Sequence, residues 1–150
     1  MDFKTQRILC DTNRSVIQYR GTYARWCAMN GIGYNEMLVL YTIRECGFCT
    51  QKLICGNYLL PRQTIHNVIT AMREKDLIRL SREYSCGKEK AFVLTEAGKA
   101  VYQPLMDSLA IAEEAALQSF GSEKLEEVNQ LLAEYTLALG KFMEEGRSEL

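Results

Sequence analysis

Pro61-Arg62-Gln63-Thr64-Ile65-His66-Asn67-Val68-Ile69-Thr70-Ala71-Met72-Arg73-Glu74-Lys75 is the stretch on which the fold turns. Ile65, Val68, Ile69 and Met72 recur at i, i+3, i+4 and i+7, which is one apolar stripe of an α-helix over 62–75. Arg62, Gln63, His66, Asn67, Thr70 and Arg73 fall on the opposite side. Pro61 suits the helix start, where the N–H it lacks would have no partner. Asp76 can adopt the left-handed conformation that closes the helix.

Downstream the period changes from helical to two. Ile78-Arg79-Leu80-Ser81-Arg82-Glu83-Tyr84 alternates as a strand does, Ser85-Cys86-Gly87-Lys88-Glu89 reads as a turn, and Lys90-Ala91-Phe92-Val93-Leu94 returns as a second strand. Upstream, Thr50 is a good N-cap for a short helix over 51–55, with Leu53 and Ile54 inward and Lys52 outward. Gly56-Asn57 signals a turn.

Helices flank this core. Val16, Tyr19, Tyr23 and Trp26 mark a first helix over 3–29, ended at Asn30-Gly31-Ile32-Gly33. A second, over 35–45, is apolar nearly all round and is expected to be the buried central helix. Cys46-Gly47-Phe48-Cys49 ends it. Thr95 caps a long helix that Gly121 closes, and Ser122 caps the last. In that last helix Leu125, Val128, Leu132, Tyr135, Leu139 and Phe142 form a narrow seam of the kind that wants a partner helix.

Composition agrees with a mainly α, globular chain. Of 150 residues, 47% are apolar and 25% charged, and only two are proline. No secretory leader is visible, and no apolar run approaches the ~20 residues needed to span a bilayer. A cytoplasmic location follows as the expectation, with no membrane partner. The net charge of −1 hides an asymmetry. From Arg62 to Lys90 seven basic residues face four acidic ones; from Asp107 to Leu150 three face ten. A basic working surface is carried by an acidic body.

Helix, helix, basic amphipathic helix and hairpin, in that order, make a winged helix-turn-helix. A DNA major groove about 12 Å wide admits one helix. Gln63, His66 and Asn67 would meet base edges, since Asn and Gln pair bidentately with adenine. Lys52, Arg62 and Arg73 are placed for phosphates, which fix register without reading sequence. Arg82, Lys88 and Lys90 would lie on the wing.

These segments resemble the MarR (multiple-antibiotic-resistance regulator) family. Thr50-Gln51-Lys52-Leu53 is similar to the start of that family's first helix-turn-helix helix. Leu60 to Ile69, followed by Met72-Arg73-Glu74-Lys75-Asp76-Leu77-Ile78, is similar to its recognition helix and exit. Phe92-Val93-Leu94-Thr95-Glu96-Ala97-Gly98-Lys99 is similar to its strand-to-helix junction. Two positions depart from the pattern. The wing tip has Cys86-Gly87-Lys88 where the family often shows Asp-x-Arg, so a point charge replaces a planar fork. Asp76 stands where Gly is common.

The resemblance implies a single winged-helix domain over 1–150, with residues 1–33 and 100–150 as dimerisation helices and 34–99 as the DNA-binding lobe. It implies a homodimer on a pseudo-palindromic operator, repressing and released by a small ligand or by thiol oxidation. Thr50, Gln51 and Thr64 join the DNA-facing set on the same ground. Tyr19, Tyr23, Trp26 and Tyr41 are candidates for lining an effector pocket; an aromatic row at helical spacing also serves simply as core.

Other chemistry fits less well. His66 is the only histidine, and no spacing gives it a nucleophile, so no catalytic site is expected. Cys46-x-x-Cys49 offers half of a zinc site, but completion would need Cys55, Cys86 or His66, so no metal and no cofactor are expected. The same pair could form a redox switch beside the 51–55 helix, or be small buried hydrophobes as free cysteines commonly are. A winged-helix protein–protein interaction module is the alternative function; a thiol enzyme using Cys46 and Cys49 is more distant.

Overall fold

The computed structural model describes residues 1–145; the remaining residues of the expected C-terminal dimerisation region, 146–150, lie outside the described residues. Two compact units are present, residues 1–106 and the residues from Asp107 onward. The chain is mainly α, with a small antiparallel sheet.

In the first unit, α1 (Phe3–Met29) begins at Asp2, whose carboxylate accepts from the Thr5 amide at 2.9 Å. That satisfies a donor the helix itself leaves free. Helix α2 (Tyr34–Cys46) is the central one: Met37, Leu38, Val39, Leu40, Thr42 and Ile43 are all buried. The αL conformation of Gly47 (φ 80°) closes it, as the glycine there was expected to.

Three elements differ from the sequence expectation. First, β1 (Cys49–Thr50) exists, as the edge strand of a three-stranded sheet ordered β1, β3 (Glu89–Leu94), β2 (Ile78–Cys86). Cys49 pairs with Phe92 and Thr50 with Ala91. Second, α3 (Gln51–Tyr58) runs straight through Gly56-Asn57, and the turn falls instead at Leu59, at φ 51°. Third, β2 does not alternate cleanly, since Ile78 and Ser81 are buried while Leu80 is exposed, and its ladder also breaks. Ile78 pairs with Leu94 and Ser81 with Ala91, but the next pair is Cys86 with Glu89. The extra residues bulge out of β2. There the Ser85 hydroxyl donates to the Ser81 carbonyl and accepts from the Ala91 amide, taking over from lost ladder bonds.

Helix α4 (Arg62–Glu74) packs against α2, α3 and β2, and Asp76 takes the left-handed turn after it, at φ 55°. Ile65, Ile69 and Met72 join Val39, Leu40, Ile43, Cys49, Ile54, Ile78, Phe92, Tyr102 and Met106 in one core cluster. Helix α5 (Glu96–Phe120) supplies the last two, and the boundary between the units falls within it. Its start grips the exit of α4. The Thr95 amide donates to the Leu77 carbonyl at 3.1 Å, the Thr95 hydroxyl donates to the Asp76 carbonyl at 2.6 Å, and the Gly98 amide donates to that hydroxyl at 2.9 Å. Tyr102, 1% exposed, donates its hydroxyl to the Glu36 carboxylate, which also accepts from the Gly33 amide at the start of α2.

In the second unit, α6 (Ser122–Glu145) follows Gly121 at φ 103°. The expected seam is uncovered in the single chain: Val128, Leu132, Tyr135, Leu139 and Phe142 are all exposed. So, in the first unit, are Phe3, Ile8, Leu9, Val16 and Ile17 of α1.

Candidate nucleic-acid interface

The α3–turn–α4 unit is built from its caps. The Thr50 hydroxyl accepts from the Leu53 amide at 3.0 Å, which fixes the start of α3. The Gln51 side-chain amide donates to the Arg62 carbonyl at 2.6 Å, which ties the start of α3 to the start of α4. With the apolar stripe of α4 buried in the core, Arg62, Gln63, His66, Asn67 and Arg73 are exposed, and Thr64 is half-buried. Gln63 donates to the Asn67 side-chain oxygen at 2.8 Å. The pair presents one free amide carbonyl and one free amide NH₂ toward solvent, the acceptor and donor types that complement an adenine edge.

A cavity of about 640 Å³ opens between α3, α4 and the hairpin. Gln51, Lys52, Arg62, His66, Arg73, Lys88 and Lys90 line it, so residues spread over forty positions of sequence converge on one basic concavity. The Arg73 guanidinium sits 5.6 Å from the centre of the Phe92 ring, which holds a flexible cation over the cavity wall. Gln63, Thr64, Asn67 and Arg82 lie outside this lining; the first three belong to α4, and Arg82 is exposed on β2. Sequence reasoning missed Cys55, Phe92 and Glu89, which line the cavity too. For Glu89 the only signal was an acid flanked by Lys88 and Lys90.

Thr50, expected among the DNA-facing residues, is buried in the structure. It is 5% exposed, and its hydroxyl both caps α3 and donates to the Glu89 carboxylate. It shapes the surface from beneath.

The aromatic row is packed against itself. Tyr19 and Tyr23 meet edge-on at 5.3 Å, Tyr23 and Tyr41 at 6.4 Å, and Arg44 covers the Tyr41 ring at 4.5 Å. Trp26 is half-buried. A second cavity, of about 330 Å³, lies elsewhere, between Arg20 of α1, the start of α2 and Val68, Met72 and Lys75. The four aromatic candidates line neither cavity.

Cys46 is exposed, whereas Cys49 is fully buried in β1, and burial pushes its thiol up to about 12. A thiol so held stays protonated, and the thiolate is the reactive form. No group of three or more His, Cys, Asp or Glu able to hold a metal occurs among the described residues. No described helix is long and apolar enough to cross a membrane.

No family model and no curated protein matches the chain. Solved structures do match, over nearly its full length. One, a MarR family regulator from Neisseria meningitidis, has a TM-score of 0.73 and 28% identity, covering 99% of each chain. Another, a MarR/EmrR family transcriptional regulator from Acinetobacter sp. ADP1, has a TM-score of 0.71 and 16% identity, covering 94% of this chain and 99% of its own. A Staphylococcus aureus MarR in complex with salicylate and kanamycin has a TM-score of 0.66 and 17% identity, covering 93% of this chain and 95% of its own.

Proposed function

We propose that this chain, which carries the fold of the MarR family regulators over nearly its whole length, is a cytoplasmic, DNA-binding transcriptional regulator and not an enzyme. The observation that carries the proposal is the basic concavity of Lys52, Arg62, Arg73, Lys88 and Lys90 beside the exposed polar face of α4. Phosphates would be neutralised by those cations, while Gln63, His66 and Asn67 read base edges in the major groove.

Two copies are part of the reading. The uncovered apolar faces of α1 and of α6 support a homodimer. A dimer would set two recognition helices about 34 Å apart, one turn of duplex, on a pseudo-palindromic operator. Occlusion of a promoter is the simplest outcome of such binding, which makes the chain a repressor. Release by a small ligand remains part of the proposal, with Tyr19, Tyr23, Trp26 and Tyr41 as the candidate lining. Oxidation of Cys46 and Cys49 has less support, since a buried, protonated Cys49 is a poor partner for a disulfide.

Fluorescence anisotropy on labelled duplex from upstream of the gene, over a salt series, tests the reading. Selective binding that weakens steeply with salt is expected. Binding no tighter than to random duplex, and insensitive to salt, would point to the protein–protein interaction module instead.

A further inference from the structure

Glu89 is an acid in the wrong place for a DNA-binding wing. It sits between Lys88 and Lys90 and lines the same cavity as Lys52, Arg62 and Arg73. By charge alone it repels the phosphates those cations would attract. Its contact explains what it does there. The Glu89 carboxylate accepts a hydrogen bond from the Thr50 hydroxyl, thirty-nine residues away, and that hydroxyl also accepts from the Leu53 amide. One side chain of the hairpin is thereby joined to the N-cap of α3.

The hairpin needs such a tie. Its ladder is broken between Ser81↔Ala91 and Cys86↔Glu89, so the outer part is held by one residue pair, by the Ser85 hydroxyl and by the Tyr84 ring, which stacks on Phe48 at 4.8 Å. Strand β1 stops at Thr50, opposite Ala91, and gives Glu89 no backbone partner on that side. A two-stranded ribbon with a broken ladder is only loosely fixed by its own backbone. The Glu89–Thr50 hydrogen bond holds the β3 side of the ribbon, as the Phe48–Tyr84 stack holds the β2 side.

We infer that Glu89 is a positioning residue, which seats the wing on the N-cap of α3 and so sets where Lys88 and Lys90 stand relative to the recognition helix. The inference rests on the DNA-binding reading above. Held in place beforehand, the two lysines bind without the cost of ordering the ribbon.

The sign of one mutation separates positioning from charge. Removing a carboxylate from a basic surface should tighten DNA binding if charge is all that matters. Positioning predicts the reverse: Glu89→Ala weakens binding by about fivefold or more, the scale of one lost charge-assisted hydrogen bond. The slope of log affinity against log salt becomes shallower, by up to about 1.8 if both wing lysines disengage. Glu89→Gln keeps an acceptor for Thr50 and binds at least as well as the parent. Thr50→Ser keeps the hydroxyl and also binds as the parent does, whereas Thr50→Val behaves like Glu89→Ala. Thermal melts confirm that each variant is folded. Amide exchange at Lys88, read by NMR without DNA, is expected to accelerate in Glu89→Ala and not in Glu89→Gln. Tighter binding by Glu89→Ala, or unchanged wing exchange, overturns the inference. A parent protein that binds no DNA, with wing exchange still governed by Glu89, overturns the functional reading alone.

Discussion

A Cβ placed on Gly98 would stand 1.9 Å from the carbonyl oxygen of Leu77. That oxygen accepts from the Thr95 amide, so it is held where it is. The first turn of α5 can therefore pass the exit of α4 only if position 98 has no side chain. Gly98→Ala is expected to cost about 3 kcal/mol, the upper end for overpacking, because backbone rather than a side chain must yield. Chemical denaturation of the two proteins checks this; a change under about 1 kcal/mol, within the range of tolerated swaps, would show that the junction relaxes freely.

Asn67→Ala removes one half of the Gln63–Asn67 pair. Affinity for the operator should fall by roughly tenfold to a hundredfold, while affinity for random duplex changes little, because a base contact specifies and a phosphate contact does not. The double variant with Gln63→Ala should lose less than the sum of the two single losses, as side chains in contact do. Competition anisotropy with specific and random duplex measures both.

Arg73→Gln should act in the opposite way. It weakens specific and random binding alike and lowers the salt slope by about 0.9, the value for one phosphate. Arg73→Lys keeps the slope but loses the guanidinium's place over the Phe92 ring, and so should bind more weakly than its unchanged charge suggests.

The buried thiol of Cys49 gives a dependence on pH. Unfolded, it ionises near its ordinary value of 9.0; folded, only near about 12. Between these values the unfolded chain has given up a proton that the folded chain retains, so unfolding is favoured as pH rises. The contribution is whole below pH 9 and is lost progressively toward pH 12. Denaturation midpoints at pH 8, 9.5 and 10.5 should fall in that order, and more gently in Cys49→Ala. Cys49 should also label with thiol reagents far more slowly than exposed Cys46.

The legible parts of the fold were those where one stretch of sequence decides its own shape. The bounds of α1, the stripe Ile65-Val68-Ile69-Met72, the left-handed turn at Asp76 and the helix break at Gly121 all follow from local periodicity and turn chemistry. What escaped depends on partners distant in sequence. Two residues, Cys49-Thr50, carry no period, and they become a strand only because Phe92 and Ala91 arrive beside them. Gly56-Asn57 looks like a turn until α3 packs against α4, β1 and β3, and the helix then runs on to Tyr58. For the candidate site, the exposed face of α4 was readable from the 3.6 repeat. The dual task of Thr50 and the place of Glu89 were not, since both depend on a contact across thirty-nine residues.

The two-residue strand β1 also bears on how the chain folds. Hairpin β2–β3 and the α3–α4 pair each close over short loops and can form early. The Cys49↔Phe92 pairing must instead wait for a loop of more than forty residues to close, an entropic cost met only once both halves exist. Assembly of the basic concavity is thus a late event: α4 and the hairpin mature separately, and the last step of folding is the one that brings them side by side. Mutations in β1 should accordingly speed unfolding more than they slow folding.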